Sequence, residues 1–269
     1  MRHLRFVAVC LVITVCGCSN LDINQETGET AANDSDTNAL SLPFEKFTLE
    51  NGMDVIFHVD RSDPVVAIDL AVHVGSGREV TGRTGFAHLF EHLLFLDSEN
   101  LGYGGLDEMN TRIGGDGTNG FTTNDMTQYF QAVPKDALEK IIWAEADKIG
   151  WFINTVSQDV VDNEKQVVKN EKRQRVDNQP YGHNLYIIAK AMYPEGHPYN
   201  WQVIGSLEDV EAATLQDVKD FFARWYVPNN VTVTIAGDFD IAQARAWVEK
   251  YFGELPGSAP LPEYQAAAA

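Results

Sequence analysis

The sequence predicts an α+β domain, and three observations carry that prediction. Near the start of the chain, apolar and polar residues alternate around an Asn-Gly dipeptide, the signature of a β-hairpin. Further on, apolar residues recur at helical spacing in several segments. Strands precede and follow these helices without the regular strand–helix alternation of a doubly wound sheet.

The hairpin is read from Phe44 to Leu49, across Asn51-Gly52, and back along Val55 to Val59. Val65 to Val74 alternates as a third strand, and Gly75-Ser76-Gly77 ends it. A helix begins near Gly85 and runs to about Leu94. Tyr129 to Val133 is a strand after a Gly- and Asn-rich approach. Lys135 to Gly150 has helical spacing through Leu138, Ile141, Ile142 and Ile149, and Ser157 to Gln174 reads as a long polar helix. Thr214 caps a helix reaching Trp225. Val231 to Gly237 is a late strand, and Ile241 to Phe252 a last helix.

A chain of 269 residues is long enough to bury a sizeable core. With 44% hydrophobic and 22% charged residues, its composition excludes global disorder. The formal net charge of −19 repels phosphate backbones and argues against a nucleic-acid partner. We read that charge as serving solubility rather than selection of basic substrates.

Residues 1–18 read as a lipoprotein signal peptide. Arg2 and Arg5 form a basic start, and Phe6 to Cys16 a short apolar run. At about 1.5 Å per residue this run cannot span a hydrocarbon core of about 30 Å. Val15-Cys16-Gly17-Cys18 resembles a bacterial lipobox, which makes Cys18 the lipidated residue. Ser19 after it, in place of Asp, favours the outer membrane facing the periplasm in a Gram-negative envelope. All three cysteines lie in this leader, which excludes a downstream disulfide or cysteine metal site. Residues 19–43 read as a flexible, acidic tether, residues 44–256 as the folded domain, and residues 257–269 as a linker or the start of a further segment.

The chemistry is concentrated in His88-Leu89-Phe90-Glu91-His92, an H-x-x-E-H pattern. On a helix, residues four apart share a face, so His88 and His92 can hold one zinc ion between them. Glu91 stands on the same side, where a carboxylate takes a proton from a water that zinc has acidified. This is the inverted form of the zincin motif. The apolar flanks Phe86, Leu89, Phe90, Leu93, Leu94 and Phe95 predict a buried helix, where three unpaired polar groups need a common partner. Catalytic zinc usually takes a third protein ligand. Glu164 and Glu171 lie two turns apart on one face of the following polar helix, and spacing alone leaves both open, as ligand or as solvated charge.

At this point the sequence resembles the pitrilysin family of zinc metallopeptidases, which includes insulin-degrading enzyme and the mitochondrial processing peptidase. The resemblance runs from about Phe44 to Pro256. Gly85 to Phe95 is similar to the family's G-x-(A/S)-H-x-x-E-H-x-x-F core, and Glu164 to Glu171 to its downstream E-x6-E helix. Tyr226-Val227-Pro228-Asn229-Asn230 with Gly237-Asp238 resembles its Y-x-P-x-N…G-D segment, and Tyr251 to Pro256 the end of its first domain. The resemblance implies a two-layer α+β domain, a mainly antiparallel sheet packed against helices, forming one half of the family enzyme. It implies one Zn2+ held by His88, His92 and Glu171, with Glu91 as catalytic base and Glu164 orienting a ligand. It also implies that Asn119-Gly120-Phe121-Thr122 is the edge strand that receives substrate, with Gly120 where Ala is more usual.

Family enzymes enclose substrate between two homologous halves, the second supplying an Arg and a Tyr near the scissile bond. This sequence contains one half. The function implied is a zinc-dependent endopeptidase acting on peptides or unfolded proteins, completed by a second homologous domain or subunit and tethered to a membrane by lipid. The alternative is a non-catalytic scaffold subunit of such an assembly. Intact His88, Glu91, His92 and Glu171 argue against it, since scaffold members tend to lose them. A metal-binding lipoprotein without hydrolysis would have no need of Glu91.

Overall fold

The computed structural model describes residues 42–261. The leader with Cys18, the tether up to residue 41 and the stretch from residue 262 onward lie outside the described residues.

The predicted hairpin forms β1 (Glu45–Thr48) and β2 (Asp54–Val59), paired antiparallel. Its turn puts Gly52 at φ 91°, and a Cβ there would stand 2.8 Å from Cβ of Asn229. Asn51 ties the turn to the far end of the domain by donating to the carbonyls of Phe252 and Leu255, at 2.8 and 3.0 Å. The remaining strands are β3 (Val65–Val72), β4 (Asn119–Thr122), β5 (Thr127–Pro134) and β6 (Val231–Gly237). They form one six-stranded sheet in the order β1-β2-β6-β3-β5-β4. Every pairing is antiparallel except that of β2 with β6. Among the described residues β4 is an edge strand, paired only with β5, so the stretch 119–122 carries one free ladder edge there.

Alternation along the strands decides which face is covered. Val55, Phe57, Val66, Ile68, Leu70, Val72, Tyr129, Val133, Val233 and Ile235 are all buried on one face. Helices cover that face, giving the two layers expected. In chain order they are α1 (Phe86–Leu96), α2 (Gly105–Ile113), α3 (Leu138–Trp151), α4 (Gln158–Lys172), α5 (Asn184–Met192), α6 (Leu207–Ala212), α7 (Leu215–Trp225) and α8 (Ile241–Tyr251). Phe90 of α1 packs 4.3 Å from the Tyr226 ring, within an aromatic cluster that takes in Phe152 and Phe222. None of the described helices is long and apolar enough to cross a membrane.

Capping explains the boundaries. Thr214 and Asp217 form a reciprocal capping box at the start of α7, Ser157 caps α4 and Asp240 caps α8. α1 has no local side-chain cap, because its first residue follows Gly85. Its orphan N–H groups are instead taken by Glu79, which accepts from Gly85 N at 2.9 Å and Ala87 N at 2.8 Å. α4 does not stop at Lys172 but passes into a π-helical turn, Arg173–Asp177. Helices α2, α5 and α6 go beyond the sequence reading. They are short, and α5 buries none of its residues, so apolar periodicity carries no signal there.

Candidate metal centre

α1 is apolar on the side that meets the core and polar on the side that meets α4. Leu89, Phe90, Leu93 and Leu94 are buried, and their burial turns His88, Glu91 and His92 together toward α4 and β4. The two imidazole rings stand 4.7 Å apart, centroid to centroid. Glu171 on α4 comes between them: its Oε2 is 3.2 Å from Nε2 of His92 and 3.6 Å from Nε2 of His88. One ligand atom from each of the three lies within 4.8 Å of the others.

Those distances fit a metal. Ligand atoms at about 2.0–2.1 Å from a tetrahedral zinc lie roughly 3.3–3.4 Å from one another. Oε2 of Glu171 is also buried and, among the described residues, makes no hydrogen bond, although two ring nitrogens face it. A buried carboxylate oxygen left without a donor is costly, and a shared cation is the partner that removes the cost. The donor set, two imidazoles and one carboxylate, suits zinc.

Spacing left Glu164 and Glu171 equivalent, and the structure separates them. Glu164 accepts from the other face of the ring, with Oε1 2.8 Å from Nδ1 of His92. That bond places the ring proton on Nδ1 and leaves the Nε2 lone pair toward Glu171. Burial works against a charged His92, but the Glu164 hydrogen bond and the carboxylates of Glu164, Glu171 and Glu91 outweigh it and raise its pKa. His88 behaves oppositely: burial first, then the positive charges of His92 and Arg175, push it down to about 3, so its ring is neutral. A neutral imidazole is the form that ligates metal.

Glu91 is 9% exposed and sits at the edge of the same cleft. Burial raises its pKa, and Thr122 moderates the rise by donating from Oγ1 to Oε2 at 2.5 Å. Asn119, Gly120, Phe121 and Thr122 of β4 line the cleft, about 680 Å³ in volume, together with His88, Glu91, His92 and Glu171. Gly120 has a packing reason. A Cβ there would stand 2.6 Å from the carbonyl oxygen of Gln128 and 3.0 Å from Cζ of Phe95.

Two groups at the site escaped the sequence reading. Arg175 pairs with the second oxygen of Glu171, Nη1 to Oε1, at 2.7 Å. Its spacing of four from Glu171 is a signal only where helical geometry continues past Gln174, as it does here through the π-helical turn. Glu79 supports the start of α1 from a segment that carries no motif. Burial pushes its carboxyl up to about 8, against the backbone donors that favour the charge.

The sequence model of the family described as "Insulinase (Peptidase family M16)" matches residues 54–199, more than half of the chain and inclusive of every residue of the cleft. The chain belongs to this family. A second M16 model, described as "Peptidase M16 inactive domain", matches residues 212–268. In the structure that stretch supplies β6, which lies between β2 and β3, so its described part belongs to the same sheet. Zinc protease PqqE of Helicobacter pylori is 34% identical over 212 residues, which are 78% of this chain and 47% of that protein. The crystal structure of a protease from Helicobacter pylori superposes with a TM-score of 0.78 at 32% identity, covering 82% of this chain and 53% of that one. The first half of the periplasmic protease PqqL from Escherichia coli shares the fold, with a TM-score of 0.76 at 22% identity over 85% of this chain and 50% of that one. The chain thus spans about half the length of such relatives. Its α+β architecture is that of a pitrilysin-type half, and its curated relatives include zinc proteases.

Proposed function

We propose that this chain is the zinc-bearing half of an M16 metalloendopeptidase that hydrolyses peptides or unfolded proteins. The observation that carries the reading is the unpaired Oε2 of Glu171, facing Nε2 of both His88 and His92. His88, His92 and Glu171 would hold one Zn2+. When bound there, the ion supplies Lewis acidity to the scissile carbonyl and to a water. Glu91 takes a proton from the water that attacks the carbonyl carbon and returns it to the departing amine nitrogen. Its raised pKa suits both directions of that transfer, since a shuttling group works best near the operating pH. Thr122 holds the Glu91 carboxylate by one oxygen and leaves the other to the reaction. Glu164 fixes the tautomer and tilt of His92. The free edge of β4 offers backbone groups on which an extended peptide pairs as an added strand, next to the reacting atoms.

The second homologous half closes the cleft, which excludes water and strengthens every charge interaction inside it. A lipid on Cys18 places the assembly at the outer membrane, facing the periplasm. In the test, Glu91→Gln retains zinc by elemental analysis but loses peptide cleavage once the second half is supplied. Full turnover by Glu91→Gln in an assembly active with Glu91 removes the base assignment. A wild-type chain that takes up no zinc removes the whole reading.

A further inference from the structure

We propose that Arg175 is a positioning residue for the metal centre, occupying one oxygen of Glu171 so that the carboxylate offers only the other to the metal. This rests on the metal reading above and adds a coordination mode to it. The two oxygens of Glu171 are in different surroundings. Oε1 is 2.7 Å from Nη1 of Arg175, while Oε2 is buried, accepts no hydrogen bond and faces the two histidines. A carboxylate with both oxygens free has two further options. It can bind a metal through both, raising the coordination number, or turn and pair with a ring nitrogen, withdrawing a ligand. Arg175 closes both routes.

The backbone is arranged for this contact. Arg175 lies within the π-helical turn that follows α4, and such turns collect at functional sites. The Arg175 side chain is 78% exposed against 16% for Glu171, so the guanidinium reaches in from solvent. An ion pair this exposed adds little to stability. Its consequence is therefore local: it decides which carboxylate oxygen remains available. Arg175 also stands on the boundary between the metal cleft and a neighbouring cavity of about 720 Å³ lined by Tyr186, Tyr193, Tyr199 and Trp201.

The test compares wild type, Arg175→Gln and Arg175→Lys in the chain as it stands. Zinc affinity is read by chelator competition, and coordination by the visible absorption of Co2+ loaded in place of zinc. For Arg175→Gln we expect zinc binding about tenfold weaker, in line with losing a group that orients a ligand. Its cobalt bands should weaken, as a second oxygen raises the coordination number. Arg175→Lys, which keeps a cationic donor, should return both readouts toward wild type. Melting of the metal-free variants should match wild type, as the exposure of Arg175 requires. Wild-type affinity and an unchanged cobalt spectrum in Arg175→Gln overturn the proposal. A wild-type chain that binds neither metal overturns the metal centre and this inference with it.

Discussion

Removing the carboxylate of Glu164 leaves the proposed ligand set intact and attacks only its orientation. Oε1 of Glu164 accepts from Nδ1 of His92 at 2.8 Å, and Glu164 is 7% exposed, so water does not readily replace it. A hydrogen bond to a charged acceptor contributes about 1.5–3 kcal/mol. At about 1.4 kcal/mol per factor of ten, losing it weakens zinc roughly 10–100-fold. Glu164→Ala should approach the upper figure, since no acceptor remains for Nδ1. Glu164→Gln should stay near the lower one, because its amide oxygen still accepts. The pH dependence separates charge from geometry. Glu164 raises the pKa of His92, so in the metal-free wild type a proton competes with zinc, and affinity falls as pH drops through that raised value. With Gln at 164 the ring protonates less readily, and the fall moves to lower pH. Chelator competition across a pH series reads both effects. Wild-type affinity in Glu164→Ala would refute the reasoning, because it would mean that the ring is held without its partner.

Three further predictions follow from the packing, the titrations and the leader. Gly120→Ala should lower the melting temperature, since a Cβ 2.6 Å from the Gln128 carbonyl oxygen forces a shift; overpacking costs about 1–3 kcal/mol, and an edge strand that can move outward belongs at the low end. Unchanged melting in calorimetry would contradict that geometry. The metal-free chain should lose stability as pH rises from about 6.5 to 8. Glu79, raised to about 8, and His92, also raised, hold more protons folded than unfolded in that window; His88, lowered to about 3, opposes them near pH 6.5, where its unfolded ring still carries a proton, and its opposition fades as pH rises. A flat or rising urea midpoint would go against it. Cys18→Ser should shift the protein from the membrane to the soluble fraction, and wild type that incorporates no labelled lipid would dismiss the lipobox.

The parts of the fold legible in the sequence are those whose signals are local. Alternation marks β2, β3, β5 and β6 because each buries every second residue, and Thr214 marks the start of α7 because its hydroxyl is the cap. α2 is bounded by Gly104 and Gly114 in left-handed conformations, and it holds its place through Asn110, which donates to Gln131 on β5. Such glycines read as loop, and a buried Asn reads as surface, until the partner strand is in view. The parallel pairing of β2 with β6 joins residues as distant as Asp54 and Thr232, which no window along the chain captures. The centre shows the same division. His88, Glu91 and His92 declare themselves by spacing within one helix. Glu164 and Glu171 meet opposite sides of the His92 ring, and Glu171 alone also faces His88, a distinction made by the packing of α1 against α4.

Phe95 joins the fold to the site, and it does so through contacts that carry no motif chemistry of their own. It lies one turn beyond His92 on α1. One side of its ring meets Tyr129 of β5 at 5.3 Å, with the Lys148 ammonium 5.2 Å from the ring centroid. The Cζ and Cε2 edge of the ring lies against Gly120, where an added Cβ would stand 3.0 and 3.2 Å away. Lys148 is itself fixed by Glu145 at 2.9 Å, both side chains being only 2% exposed, and Gln131 of β5 donates to the same carboxylate at 2.5 Å. A buried pair of this kind gains little net stability, since desolvation offsets the attraction, but breaking it leaves an uncompensated charge. The ring of Phe95 is thereby held between α3, β5 and β4. Gly120 admits that ring where a Cβ would crowd it, and two residues on, Thr122 donates to Glu91 at 2.5 Å.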